Sequence, residues 1–202
     1  MPGMTITSIS LSISLDGYIA GPHDGPDNPL GDGGSSLFDW WTAGTEPLAN
    51  DPRFAPPTRS RQVATELFDC GAVLTGRRTF DIARGWGGHH PAGAPFFVLT
   101  HSAPPHWVGP GTGGTAVTDG IRSALDQARH VAGDRPIGIT SANVAQQYMA
   151  AGLVDEINLN LIPVLLGSGV ALFANLPEPV GLECTRVVES DGVTHLRYRV
   201  IT

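Results

Sequence analysis

Residues Pro136–Ile162 read PIGITSANVAQQYMAAGLVDEINLNLI, and their reading decides the fold. Pro136–Thr140 is a short apolar run of the kind a strand buried on both faces shows. Ser141–Ala151 follows at helical length and closes before Gly152. Val154–Ile162 then alternates, with Ile157, Leu159 and Leu161 at every second position. A strand, a helix and a second strand in that order form a crossover unit, which joins parallel strands.

The pattern extends outward in both directions. Thr5–Leu15 (TITSISLSISL) places Ile9, Leu11, Ile13 and Leu15 on one face of a strand that stops at the Asp16-Gly17 turn signal. Phe38, Trp40 and Trp41 form an apolar cluster expected on a short helix or anchored turn. Arg59–Phe68 has helical spacing and ends before Gly71. Ala72–Thr75 and Phe96–Leu99 are short, wholly apolar strands, the first running into a short helix at Gly76. Ile121–Val131 carries Ile121, Leu125, Ala128 and Val131 on one helical stripe. Cys184–Val188 and His195–Ile201 are paired strands around Ser190-Asp191-Gly192, a hairpin signal. The expected architecture is α/β: a mainly parallel central sheet with helices on both faces and a C-terminal antiparallel hairpin. At 202 residues, with no internal repeat or linker, residues 1–202 read as one domain.

Composition narrows the function. The net charge of −7 and 12 Lys and Arg supply no basic surface for nucleic acid. No apolar run reaches the ~20 residues of a membrane helix, and no basic-then-apolar leader opens the chain, so a soluble cytoplasmic protein is expected. The two cysteines, Cys70 and Cys184, are expected as free buried thiols. His89, His90, His101 and His106 lack metal-ligand spacing, and no metal is expected.

In a doubly wound sheet, ligands bind beyond the carboxyl ends of the strands, where loops begin at Asp16, Gly76, Thr100 and Thr140. Gly76-Arg77-Arg78-Thr79 follows a buried strand: a glycine admits close backbone approach to a phosphate, and arginines add charge-assisted hydrogen bonds. The bland alternative is a glycine turn with two solvated arginines. Thr100-His101-Ser102 offers small polar groups at the next strand end. Ser141-Ala142-Asn143 opens the following helix, where Ser141 or Thr140 equally suits a helix cap. Asp16 is the carboxylate placed to handle a proton, or simply the turn former that Asp-Gly implies.

These segments resemble a known family. SLSISLDGYIAGP (Ser10–Pro22, with Asp16 and Gly17 at its centre), AVLTGRRTFD (Ala72–Asp81) and AGLVDEINLNLIPVLLGSGVALF (Ala151–Phe173) resemble bacterial dihydrofolate-reductase-family proteins, among them the reductase domain of riboflavin biosynthesis. The resemblance implies a stand-alone dihydrofolate-reductase-like domain with NADPH across the strand ends. Gly76, Arg77, Arg78 and Thr79 would hold the pyrophosphate and 2′-phosphate side, and Thr100, His101 and Ser102 would flank the adenine ribose. Thr140, Ser141, Ala142 and Asn143 would close from the opposite side. Thr140-Ser141 stand where the family commonly has Gly-Gly, and Asp81–Trp86 lacks the riboflavin reductase's Asp-Asp-Pro segment. The implied activity is hydride transfer to a C=N or C=O carbon of a small metabolite of pteridine, pyrimidine or ribosylamine type, related to 5-amino-6-(5-phosphoribosylamino)uracil reductase. Asp16 is the candidate for the proton path. The alternative is a non-catalytic NADP(H)-binding protein of the same fold. The apolar run from Ile157 to Leu166 suggests an edge that pairs two copies into a homodimer.

Overall fold

The computed structural model describes residues 5–49, 51–102, 108–109 and 111–201. His106, named above, lies outside the described residues. The strands are β1 (Thr7–Ser14), β2 (Ala72–Gly76), β3 (Phe96–Leu99), β4 (Gly114–Val117), β5 (Ile137–Ile139), β6 (Glu156–Ile162), β7 (Gly181–Ser190) and β8 (Val193–Ile201). The α-helices are α1 (Arg61–Phe68), α2 (Arg77–Ile82), α3 (Ile121–Ala132) and α4 (Ala142–Ala150). Short 3-10 helices cover Gly34–Thr42, Thr58–Ser60 and Arg84–Gly88.

All eight strands form one sheet in the order β4-β3-β2-β5-β1-β6-β8-β7. The pairings from β4 to β6 are parallel, and β8 and β7 join antiparallel. The hairpin turns at Asp191-Gly192, with Ser190 opposite Val193, and Gly192 takes a positive φ (73°) that glycine adopts without strain. This is the α/β architecture expected from the pattern. Three details differ. β4 was not anticipated, because Gly114-Thr115-Ala116-Val117 has little apolar signal of its own and owes its strand to pairing with β3. β6 is no edge: it lies between β1 and β8. Cys184 is exposed rather than buried, because β7 is the outer strand, whereas Cys70 is buried as expected.

The pleat of β1 divides the molecule. Ile9 and Ile13 turn to one face, where they join Leu74, Ile137, Ile139 and Ile157 beneath α3 and α4. Those helices contribute Ala124, Leu125, Ala128, Val144, Ala145 and Tyr148, and the Tyr148 hydroxyl donates to the Ile121 carbonyl at 2.6 Å. Burial of this order stabilises by roughly 25 cal/mol per Å² of apolar surface. The opposite face of β1 is Ser8, Ser10, Ser12 and Ser14. Ser8, Ser10 and Ser12 pair in register with Glu156, Asn158 and Asn160 of β6, and the two asparagines with Arg197 and His195 of β8. A polar stripe therefore crosses three strands. It is flanked by one apolar cluster around Leu37, Trp40 and Ala64 and another around Val73, Phe80 and Phe96.

His195 sits inside this stripe, 4% exposed. Its Nδ1 lies 2.7 Å from Asn160 Oδ1 and its Nε2 2.8 Å from Ser60 Oγ. Burial, with the Arg186 charge adding, lowers its pKa from 6.5 to about 4. Burial brings His90 down to about 4 as well. Below pH 6.5 the unfolded chain takes up these protons and the folded chain does not, so stability is full above that pH and falls as pH drops toward 4. The expected loss between pH 7 and 5 is on the order of 2 kcal/mol for His195. Urea titrations of the protein and His195→Gln check this: the variant, less stable at pH 7, should retain about half the acid slope. An unchanged slope would contradict the assignment.

Candidate functional site

Strands β3, β2 and β5 are neighbours and parallel, so the loops leaving their carboxyl ends meet. Gly76, Arg77, Arg78 and Thr79 leave β2; Thr100, His101 and Ser102 leave β3; Thr140, Ser141, Ala142 and Asn143 leave β5. All eleven line one cleft of about 740 Å³. Gly76 is held against the start of α4: its N–H donates to Ser141 Oγ at 2.9 Å, and an added Cβ would meet that oxygen at 3.2 Å and Val144 at 3.3 Å. Ser141 therefore links the two loops through its hydroxyl and needs no cap role, for which no side-chain hydrogen bond is present.

The two arginines are engaged differently. Arg77 Nε donates to both Asp81 oxygens at 2.8 and 2.9 Å, while its Nη1 donates to the Ser102 carbonyl at 3.1 Å. Its guanidinium thus lies at the turn after β3. Arg78 reaches the loop after β1 instead, with Nη2 donating to Asp24 Oδ1 at 2.6 Å and to the Asp24 carbonyl at 2.8 Å.

A second cleft, of about 530 Å³, runs along the polar face of the sheet. Its floor is Ser8, Ser10, Ser12, Thr140, Asn158 and Asn160, with α1 and the 3-10 helix Gly34–Thr42 on one side and Trp86 and His90 on the other. Trp86 is placed by a left-handed stretch, Arg84 to Gly87, with φ between 49° and 64°. Gly85 and Gly87 take this conformation freely; Arg84 and Trp86 each strain by about 1–2 kcal/mol. Packing of the indole edge-on to Phe80, Phe96 and His90 offsets it. The two clefts share four residues: Leu11, Phe38, Thr79 and Thr140. Thr140 Oγ1, on that shared border, is buried and has no hydrogen-bond partner among the described residues.

Asp16, expected to face the cleft, lines neither one. Its carboxylate accepts from Ser14 Oγ at 2.5 Å, Leu166 N at 3.1 Å and Gly167 N at 2.7 Å. The Ser14 hydrogen bond, with the two amides, holds its pKa below the ordinary 3.8 against the opposing desolvation. The Asp-Gly turn thus aims the carboxylate at the loop after β6 and away from the site. Among the described residues, no three His, Cys, Asp or Glu side chains converge as a metal requires, and no helix is long and apolar enough to cross a membrane.

The floor of the second cleft was missed in the sequence, although its signal was there. SISLSIS and EINLNLI alternate in both halves of their pattern, with Ser and Asn repeating as regularly as Ile and Leu.

Comparison with known proteins agrees with this fold. The family model for the RibD C-terminal domain matches residues 121–196. No curated protein matches the chain. Among solved structures, a candidate riboflavin biosynthesis protein from Shewanella sp. PV-4 superposes with a TM-score of 0.70 at 22% identity, covering 98% of this chain and 100% of that one. The diaminohydroxyphosphoribosylaminopyrimidine deaminase/5-amino-6-(5-phosphoribosylamino)uracil reductase of Thermotoga maritima gives 0.59 at 13% identity; the match covers 98% of this chain and 57% of that enzyme. Dihydrofolate reductase from Enterococcus faecalis, complexed with NADP(H), gives 0.58 at 14% identity over 98% and 97%. At these identities the likeness is one of fold, and with the family match it bears out the resemblance read from the motifs.

Asp16→Asn keeps an oxygen to accept from Ser14 and Leu166, so it should leave any turnover within about threefold of the parent, where a group moving the proton would lose about 10²-fold or more. Asp16→Ala should lower the melting temperature above pH 4, and the difference should vanish as acid protonates Asp16. A large loss of turnover in Asp16→Asn with unchanged stability would return the residue to the chemistry.

Proposed function

We propose that this chain, a dihydrofolate-reductase-like domain matched by the RibD C-terminal model, is an NADPH-dependent reductase of a small planar metabolite. The observation that carries the reading is the meeting of the two clefts at Leu11, Phe38, Thr79 and Thr140. A hydride passes only between atoms in contact, so donor and acceptor sites have to open onto one another.

The residues of the first cleft fit a phosphorylated dinucleotide. Arg77 at the Thr100–Ser102 turn suits an adenosine 2′-phosphate, and the first amides of α4 suit a pyrophosphate. The unpartnered Thr140 hydroxyl on the shared border suits a carboxamide. Bound there, NADPH supplies the hydride. Leu11 and Phe38 exclude water from the border, and Thr79 and Thr140 orient what lies across it. Ser10 and Ser12 hold water for the proton, since no carboxylate lines the border among the described residues.

The non-catalytic alternative draws on one contact, the Ser141 hydroxyl that occupies the Gly76 amide a phosphate would otherwise use. Anaerobic loss of NADPH absorbance against a metabolite panel separates the two readings, because a binder leaves the absorbance unchanged.

A homodimer is part of the same reading, relocated from β6. Val187 and Leu182 on the outer strand β7 expose 60% and 41% of their surface, and an apolar edge of this kind favours a partner. Sedimentation should show a species of twice the 21.2 kDa chain mass, and Val187→Lys should halve it. A monomer at tens of micromolar would end this proposal.

Arg77→Ala should weaken NADPH binding by roughly 2–3 kcal/mol while sparing NADH, from the usual worth of charged hydrogen bonds. Arg78→Ala should cost less, because that guanidinium is turned to Asp24 in the loop after β1 and away from the Thr100–Ser102 turn. Tryptophan-fluorescence titration with both cofactors measures this. Equal losses for NADPH and NADH in Arg77→Ala would contradict the assignment.

A further inference from the structure

The lining of the second cleft narrows what it can accept. We propose that it takes an unphosphorylated, planar, carbonyl-bearing heterocycle whose tail is uncharged or cationic. The proposal rests on the reading of the two clefts as cofactor and substrate sites, and three observations carry it.

The walls are aromatic. Phe38, Trp41, Phe54, Phe68 and Trp86 all line the groove, and Trp41 packs against Phe54 and Phe68 with centroids 5.0 and 5.5 Å away. Such walls favour a flat ring over a branched aliphatic body.

The floor offers a donor. Asn160 is only 3% exposed. Its Oδ1 accepts from His195 Nδ1, whose ring is fixed from the far side by Ser60. Its Nδ2 has no hydrogen-bond partner among the described residues, and Asn160 lines the groove. A buried amide with two free hydrogens calls for an acceptor on the ligand, a ring carbonyl or ring nitrogen.

The charge of the groove is negative. Asp69 and Glu156 line it, and Glu66 beside them is paired with both Arg197 and Arg186, whose Nη1 lies 2.7 Å from Glu66 Oε2. Arg197 is already committed: its Nη2 donates to Glu66 Oε2 at 2.7 Å and its Nε to Asn158 Oδ1 at 2.9 Å. Asp69 and Glu156 flank the amino ends of β2 and β6, far from the border with the first cleft, so a ligand whose ring lies at that border sends its tail toward them. Ser8 to Ser12 alone spans ~13 Å at ~3.3 Å per residue, enough for a ring and a short chain. A terminal phosphate dianion there would meet carboxylates with no free guanidinium to receive it, whereas hydroxyls or an amine would be accepted.

Riboflavin and riboflavin 5′-phosphate are a matched pair of probes: the same carbonyl-bearing ring, with a neutral or a dianionic tail. Quenching of flavin fluorescence on the full chain, with and without NADP+, should show riboflavin bound about tenfold more tightly than its phosphate. The double variant Asp69→Asn/Glu156→Gln should narrow that preference about threefold, by improving the phosphate and leaving riboflavin alone. Equal or tighter binding of the phosphate would overturn the proposal, as would failure of riboflavin to bind. A preference unmoved by the double variant would overturn its electrostatic basis. A parallel NADP+ titration keeps the two readings apart: NADP+ binding without the flavin preference sinks the substrate class alone, and the preference without NADP+ binding sinks the cofactor assignment alone.

Discussion

The structure depends on the register of β1 between β5 and β6. Side chains on a strand alternate faces with a period of two, so Ile9, Leu11 and Ile13 cannot share a face with Ser8, Ser10 and Ser12. A slip of one residue would send the serines beneath α3 and α4 and the isoleucines into the groove, exchanging every contact at once. The hydrogen-bonded pairing of Ser8 with Glu156 through Ser14 with Ile162 prevents this. The same register that builds the core therefore builds the floor of the second cleft. Core and site are the two faces of a single strand.

Charge is divided between the clefts in a way that sorts ligands. The first has guanidinium groups at its mouth, one at the turn after β3 and one tied to Asp24. The second has carboxylates along its length and an arginine already spoken for. On the proposed reading, phosphates go to one side of the Leu11–Thr140 border and an uncharged ring to the other. Ser141 stiffens the junction by bonding the Gly76 amide, so two loops from different strands approach as one unit. The Trp40 indole, donating to Ser12 Oγ at 3.1 Å, anchors the opposite wall to the same strand.

Much of this was legible in the sequence. Apolar periodicity located seven of the eight strands, because each buries enough side chain to leave a mark; Gly114–Val117 does not, and only its neighbour β3 makes it a strand. The loops of the first cleft were legible because strand ends in a parallel sheet converge whatever their loops contain. Three things were not. Asp16 follows a strand on the right side of the sheet, but a turn sets where its carboxylate points, and backbone amides 150 residues away receive it. β6 was apolar enough to suggest a free edge, yet its asparagines reveal a strand flanked on both sides with one polar face. Cys184 has the sequence context of a buried thiol; only the strand order places it on the rim.

A crystal structure of the NADP+ complex tests the central claim, that a hydride donor in one cleft meets its acceptor from the other. The account predicts the 2′-phosphate on Arg77 and the nicotinamide ring in van der Waals contact, within ~4 Å, with Leu11 and Thr140, its reactive carbon open toward Ser12 and Asn160. A dinucleotide bound along the serine face, or one whose nicotinamide stops short of the Leu11–Thr140 border, would contradict it.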